Sequence, residues 1–114
     1  MLKNFEEQTS KLTDQELNIA EIVKKSLKKY KGKFYAIAGS KICSGFNNNT
    51  DFRLTGVRLR KIMNYLRNQG EPICSNSKGY FYPEDNEEIL DTITSIQQRI
   101  DSQKQIINQL KKHI

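Results

Sequence analysis

Residues 53–67 contain five arginines and lysines and no acidic residue. Arg58, Arg60, Lys61 and Asn64 fall in one short span of this stretch, with Arg53 and Thr55 just ahead of it. Guanidinium groups make paired hydrogen bonds to phosphates and to the guanine edge, and asparagine does the same to the adenine edge. Such residue types, this close together, are suited to holding a polyanion and to reading bases. Catalysis has no comparable support. The chain contains no GxSxG, no phosphate-cradling glycine loop and no Cys/His pair. Cys43 and Cys74 stand thirty-one positions apart, and the only histidine is His113, beside the last residue. Zinc needs about four ligands in close pairs, which this chain does not offer. The carboxylates cluster at helix starts, where capping explains them. The sequence reads as a non-enzyme with no metal and no cofactor, its two thiols reduced.

Such side chains need elements to position them. At 114 residues the chain supports one small domain and one extension. An apolar fraction of 36% suits a compact core with a long solvated element better than a fully globular body. Charge is segregated. Residues 1–23 carry two lysines against five acids, residues 24–82 thirteen Lys/Arg against two acids, and residues 83–114 four Lys/Arg against six acids. That pattern, more than the overall +6, suggests a polyanion-binding middle flanked by segments with other roles. No apolar run is long enough to span a membrane and no signal-peptide pattern occurs, so a soluble, cytoplasmic protein without membrane contact is expected.

Residues 1–12 are acidic and polar and read as an N-terminal arm. Thr13 and Glu16 have the spacing of a capping box, in which each side chain satisfies a backbone donor near the helix start. Leu17, Ala20, Val23, Leu27 and Tyr30 then recur at helical spacing, and Gly32 is expected to end the helix. FYAIA at 34–38 suits a β-strand. GSKICSGF reads as a short helix capped by Ser40, with Ile42, Cys43 and Phe46 as apolar contacts. NNNTDF is a polar loop, since asparagine side chains bond the local backbone in turns. Thr55 caps the next helix, whose stripe of Leu59, Ile62, Met63 and Leu66 faces a core. Arg60, Lys61, Asn64 and Asn68 fall on the opposite face, with Arg58 and Arg67 at its margins, and Gly70 ends the helix. EPICSNSKGYFYP then reads as a hairpin with Lys78 near its tip and Gly79 at the far end of the turn.

The stretch LTGVRLRKIMNYLRNQGEPICSNSKGYFY resembles the small winged helix-turn-helix DNA-binding proteins of bacteriophages and prophages of low-GC bacteria. In these, a helix reading L-[ST]-G-x-x-[LI]-R-K-I runs into a P-I-x-S-x-x-x-G-Y wing. The resemblance spans roughly residues 13–90; NNNTDF departs from it by lengthening the turn before the basic helix. It implies an α+β, mainly α fold, with a winged helix-turn-helix domain over 13–83. Residues 55–69 would be the recognition helix, entering the major groove through Thr55, Arg58, Arg60, Lys61 and Asn64, with Arg53 adjoining it. Ser77 and Lys78 of the wing (72–83) would brace the adjacent backbone or minor groove.

Residues 84–114 read as one long helix. Asp85 and Glu88 repeat the capping-box spacing, Glu84 and Glu87 place negative charge in the first turn, and Lys111 and Lys112 place positive charge in the last. Ile89, Ile93, Ile96, Ile100, Gln103, Ile107 and Leu110 alternate spacings of four and three up to Ile114, the seam of a coiled coil with one polar member. At about 1.5 Å per residue the seam runs roughly 39 Å, more than a small domain needs for its own core. A homodimer is expected, offering two recognition helices to a two-fold site.

The function expected is therefore that of a dimeric double-stranded DNA-binding transcriptional regulator of phage or mobile-element origin. The alternative is a phage-encoded inhibitor of a host defence system, of anti-CRISPR type, turning the same basic surface on a host protein or ribonucleoprotein.

Overall fold

The structure, a computed structural model, describes residues 11–114. All but two residues of the expected N-terminal arm lie outside it. The fold is α+β and mainly helical, with a two-stranded antiparallel sheet. Among the described residues its α-helices are α1 (Asp14–Leu27), α2 (Gly39–Asn47), α3 (Gly56–Asn68) and α4 (Asn86–Lys111), and its strands are β1 (Cys74–Asn76) and β2 (Gly79–Phe81).

α1 starts where Thr13 and Glu16 place it. The Glu16 N–H donates to Thr13 Oγ1 at 3.1 Å, and the Thr13 N–H donates to Glu16 Oε1 at 3.0 Å. Ile19, Ala20, Val23 and Leu27 supply its buried face. The helix stops at Leu27, however, and not at Gly32. The backbone of residues 30–32 is drawn instead to the end of the hairpin, where the Tyr82 N–H donates to the Tyr30 carbonyl at 2.8 Å and the Gly32 N–H to the Tyr82 carbonyl at 2.7 Å. Gly32, at φ +92°, turns the chain into a single 3-10 turn over Lys33–Tyr35.

That turn replaces most of the strand expected at 34–38. Phe34 and Tyr35 are exposed, and only Ile37 pairs, exchanging two backbone hydrogen bonds of 2.9 Å with Tyr80. The pairing is close enough that a β-carbon on Gly79 would collide with the Ile37 carbonyl, and Gly79 sits at φ +145°. α2 begins after Ala38 with no side-chain cap. Ser40 lies within its first turn, exposed, rather than capping it.

The asparagine loop is held by its first member. Asn47 donates from Nδ2 to the Leu54 carbonyl at 3.0 Å and accepts the Leu54 N–H on Oδ1 at 2.7 Å. This closes residues 47–54 and delivers Leu54 to the core, where it is fully buried. Thr55 caps α3 by accepting the Arg58 N–H at 3.2 Å. Leu59, Ile62, Met63 and Leu66 pack inward against α1 and Ile73, forming the central core with Leu54 and Tyr82. Gly70, at φ +96°, lies just beyond the end of α3, and the Glu71 N–H returns to the Leu66 carbonyl at 3.0 Å. The Tyr82 hydroxyl donates to Glu71 at 2.7 Å; burial first, and then that carboxylate, push the phenol's pKa well up.

In the hairpin Cys74 faces Phe81, Ser75 faces Tyr80 and Asn76 faces Gly79, leaving Ser77–Lys78 as a two-residue turn. Asn76 Oδ1 holds that turn by accepting the N–H groups of Lys78 and Gly79, at 2.9 and 3.2 Å. α4 is capped by Asp85, which accepts the Glu88 N–H at 3.0 Å. The reciprocal half of the expected box is used differently. Glu88 is buried, and its carboxylate accepts the Glu84 N–H at 2.8 Å and the Lys33 N–H at 2.9 Å. One turn on, the buried Thr92 hydroxyl bonds to the backbone of Ser75. Glu88 thus ties α4 to the 3-10 turn and Thr92 ties it to the hairpin, and every residue from Gln97 onward is exposed.

Candidate functional site

α3, the hairpin and α4 enclose an open groove of about 1130 Å3. One wall is α3, contributing Arg60, Asn64 and Arg67, with Met63 at its base. The hairpin turn, with Ser77 and Lys78, lies alongside. The opposite wall is α4, from Ser95 to Ile107, including Arg99, Gln103 and Lys104. Five cations line this groove (Arg60, Arg67, Lys78, Arg99 and Lys104) and no carboxylate does. Uncompensated positive charge in a concave site concentrates field and favours an anion.

The expected site residues divide into three groups. Arg60, Asn64, Ser77 and Lys78 come together in the groove, and all four are exposed. Arg53, Thr55 and Arg58 are set apart from it, at the N-terminal end of α3. There Arg58 donates to the Arg53 carbonyl at 2.8 Å and lies 4.8 Å over the Phe52 ring, while Arg53 donates to the Asn47 carbonyl at 3.2 Å. These contacts brace the loop that delivers α3, and Thr55 spends its hydroxyl on the cap.

Lys61 forms the third group and corrects the sequence reading. It is 6% exposed, and its ammonium donates to Glu16 Oε1 at 2.9 Å. A helical wheel puts Lys61 opposite the core stripe, but its side chain reaches Glu16 at the start of α1 and is covered there. The outward arc of α3 narrows to Arg60, Asn64 and Asn68. Glu16 therefore holds both its own helix start and the basic helix. Burial by itself raises the Glu16 pKa, but the Thr13 N–H and then Lys61 outweigh it and hold the carboxyl below the ordinary range.

Arg67 is better placed than a position at the margin of the helix suggested. It donates from Nε to the Ile73 carbonyl at 2.8 Å and from Nη2 to Ser75 Oγ at 3.3 Å, tying α3 to β1. Burial lowers its pKa, yet a guanidinium stays cationic at any ordinary pH. The residues that sequence reasoning missed are Arg99 and Lys104. Each sits beside the apolar seam of α4, and nothing local in the sequence says that the helix runs along the groove.

The seam itself splits. Ile89 and Ile96 are half-buried within the chain. Ile93, Ile100, Ile107 and Leu110 stay 55%, 44%, 51% and 63% exposed, and Gln103 is exposed among them. Ile96, Ile100, Gln103 and Ile107 also line the groove, so apolar seam and cationic wall share one stretch of helix. Cys43 and Cys74 are free thiols whose pKa values are raised, first of all by burial. Among the described residues no cluster of three or more His, Cys, Asp or Glu could hold a metal, and no helix is long and apolar enough to cross a membrane. Comparison with protein-family models, with curated proteins and with solved structures returned no match.

Proposed function

We propose that this protein binds double-stranded DNA, as a small regulator of phage or mobile-element origin. The observation that carries the reading is the groove beside α3, which gathers five cations and no carboxylate around the exposed Arg60 and Asn64. In this reading α1, α2 and α3 with the hairpin act as a winged helix-turn-helix. α3 enters the major groove, Arg60 pairs with a guanine edge and Asn64 with an adenine edge, each contributing about 1–3 kcal/mol of discrimination. Ser77 and Lys78 meet the neighbouring phosphates, and Arg53 and Arg58 meet the backbone at the other end of the helix. Phosphate neutralisation supplies most of the affinity.

Fluorescence anisotropy with a pool of labelled random-sequence duplexes tests this. Binding that weakens steeply with salt and falls about tenfold or more in Arg60→Ala/Asn64→Ala supports the reading. A folded protein that takes up no duplex at low salt sinks it and leaves the basic face to a host protein or ribonucleoprotein.

Self-association is the second part of the proposal. The exposed isoleucines of α4 support pairing of two copies through this helix as a coiled coil in the free protein. Sedimentation velocity of the wild type against Ile100→Lys/Ile107→Lys checks it; equal sedimentation of the two would rule it out.

A further inference from the structure

We infer that the exposed half of α4 is a second DNA-binding wall: one strand's backbone runs between α3 and α4, with Arg99 and Lys104 neutralising its phosphates from the side opposite Arg60 and Lys78. The inference rests on the DNA-binding reading of the same groove and adds to it the part of α4 that lies beyond the resemblance.

Three observations carry it. The first is the sidedness of charge on α4. Beyond Ile96 the helix has one acid, Asp101, which does not line the groove and accepts from Gln97 at 3.0 Å instead. Arg99 and Lys104 do line it. The second is extent. Glu88 and Thr92 are the last fully buried residues of α4, and the eighteen residues from Gln97 on extend the chain by about 27 Å with no core to serve. The third is the composition of the enclosure. Cations on facing walls with no carboxylate between them repel one another until an anion enters, and a sugar-phosphate strand supplies one charge per residue along the groove. Ile96, Ile100 and Ile107 on the same wall offer apolar contact to deoxyribose and to thymine methyl groups.

A second copy of α4 is the competing occupant, because the seam it would pair with faces the same groove. Charge disfavours it there. A parallel partner would bring another Arg99 and Lys104 to the same level, and an antiparallel one centred on Gln103 would bring Lys111 and Lys112. A polyanion meets the opposite situation. DNA binding and pairing through α4 therefore exclude each other, and DNA engages the unpaired chain.

The test uses the full chain and labelled random-sequence duplexes, at salt between about 50 and about 200 mM. Four proteins are compared: wild type, Arg99→Ala/Lys104→Ala, Lys111→Ala/Lys112→Ala and Arg60→Ala/Asn64→Ala. All substituted residues are exposed, and far-UV circular dichroism verifies each fold. The expected result is that Arg99→Ala/Lys104→Ala binds about tenfold more weakly at the low-salt end and flattens the log–log salt slope by about 1.8, two phosphates' worth. Lys111→Ala/Lys112→Ala removes the same charge from the same helix outside the groove and stays within about twofold of wild type by that accounting. Equal behaviour of these two variants, with binding still weakened in Arg60→Ala/Asn64→Ala, would overturn the second wall while leaving DNA on α3. Wild-type protein that binds no duplex would remove the DNA reading and this inference together.

Discussion

Lys61 shows how one side chain can be charged, basic and on the right helix yet closed to solvent. Its ammonium and the Glu16 carboxylate are 2.9 Å apart, each 6% exposed. Breaking such a pair from one side leaves an uncompensated buried charge. Lys61→Ala is expected to lower stability by about 3 kcal/mol in urea unfolding, and Glu16→Leu/Lys61→Met by much less. The pair also sets a pH dependence. Glu16 has its folded pKa held below the ordinary glutamate value of 4.5, so the folded state binds this proton less readily than the unfolded state. Its stabilisation is complete above 4.5 and is lost as pH falls through the depressed value. Urea midpoints measured downward from neutral pH should drop in that acid range, and should drop less in the Glu16→Leu/Lys61→Met protein. Gly79 makes a different demand. With φ at +145° and the Ile37 carbonyl in the place of any β-carbon, Gly79→Ala is expected to cost about 2 kcal/mol and to loosen the hairpin against residue 37. Hydrogen exchange at the Ile37 and Tyr80 amides measures that loosening.

Among the elements, those written in local chemistry were legible. Thr13 and Glu16, Thr55 and Asp85 marked three helix starts at the residue, because a cap needs only its own few neighbours. Asn47 and Asn76 likewise hold the loop and turn expected around them. What failed was decided by distant partners. α1 ends early because Tyr30 and Gly32 bond Tyr82, fifty residues on. Phe34 and Tyr35 look like strand residues, but they turn outward once Glu88 takes the Lys33 N–H. Of the groove's lining, the sequence singled out Arg60, Asn64, Ser77 and Lys78 but not Arg99 and Lys104, because the path of α4 is fixed by Glu88 and Thr92, not by its isoleucine seam. Those two anchors are testable at the element scale. Glu88→Ala strands two backbone donors, those of Lys33 and Glu84, and should lower stability by about 2 kcal/mol or more. It should also release α4 from the 3-10 turn, seen as lost amide protection at Lys33.

At the scale of the whole molecule, the basic middle and the long helix face each other across one groove, and salt acts on its two prospective occupants with opposite sign. DNA is held by released counterions and weakens as salt rises. Two α4 helices bring cations together around an apolar seam, so screening their repulsion strengthens the pairing. The protein's sedimentation coefficient should therefore rise with salt over the range in which its affinity for duplex falls; parallel loss of both would count against a shared groove.

The polar fastening of α4 leads to one more consequence. Past Ile96 the helix has no side of its surface against the domain, and its one side-chain bond among the described residues is Gln97 to Asp101. A lone helix of this length is marginal in water, because nucleation is costly and propensity alone barely sustains it. Its order must be borrowed from whatever lies alongside. At protein concentrations too low for α4 to pair, helical content at 222 nm should then climb when duplex is added, making the distal half of α4 an element that completes its folding on its ligand.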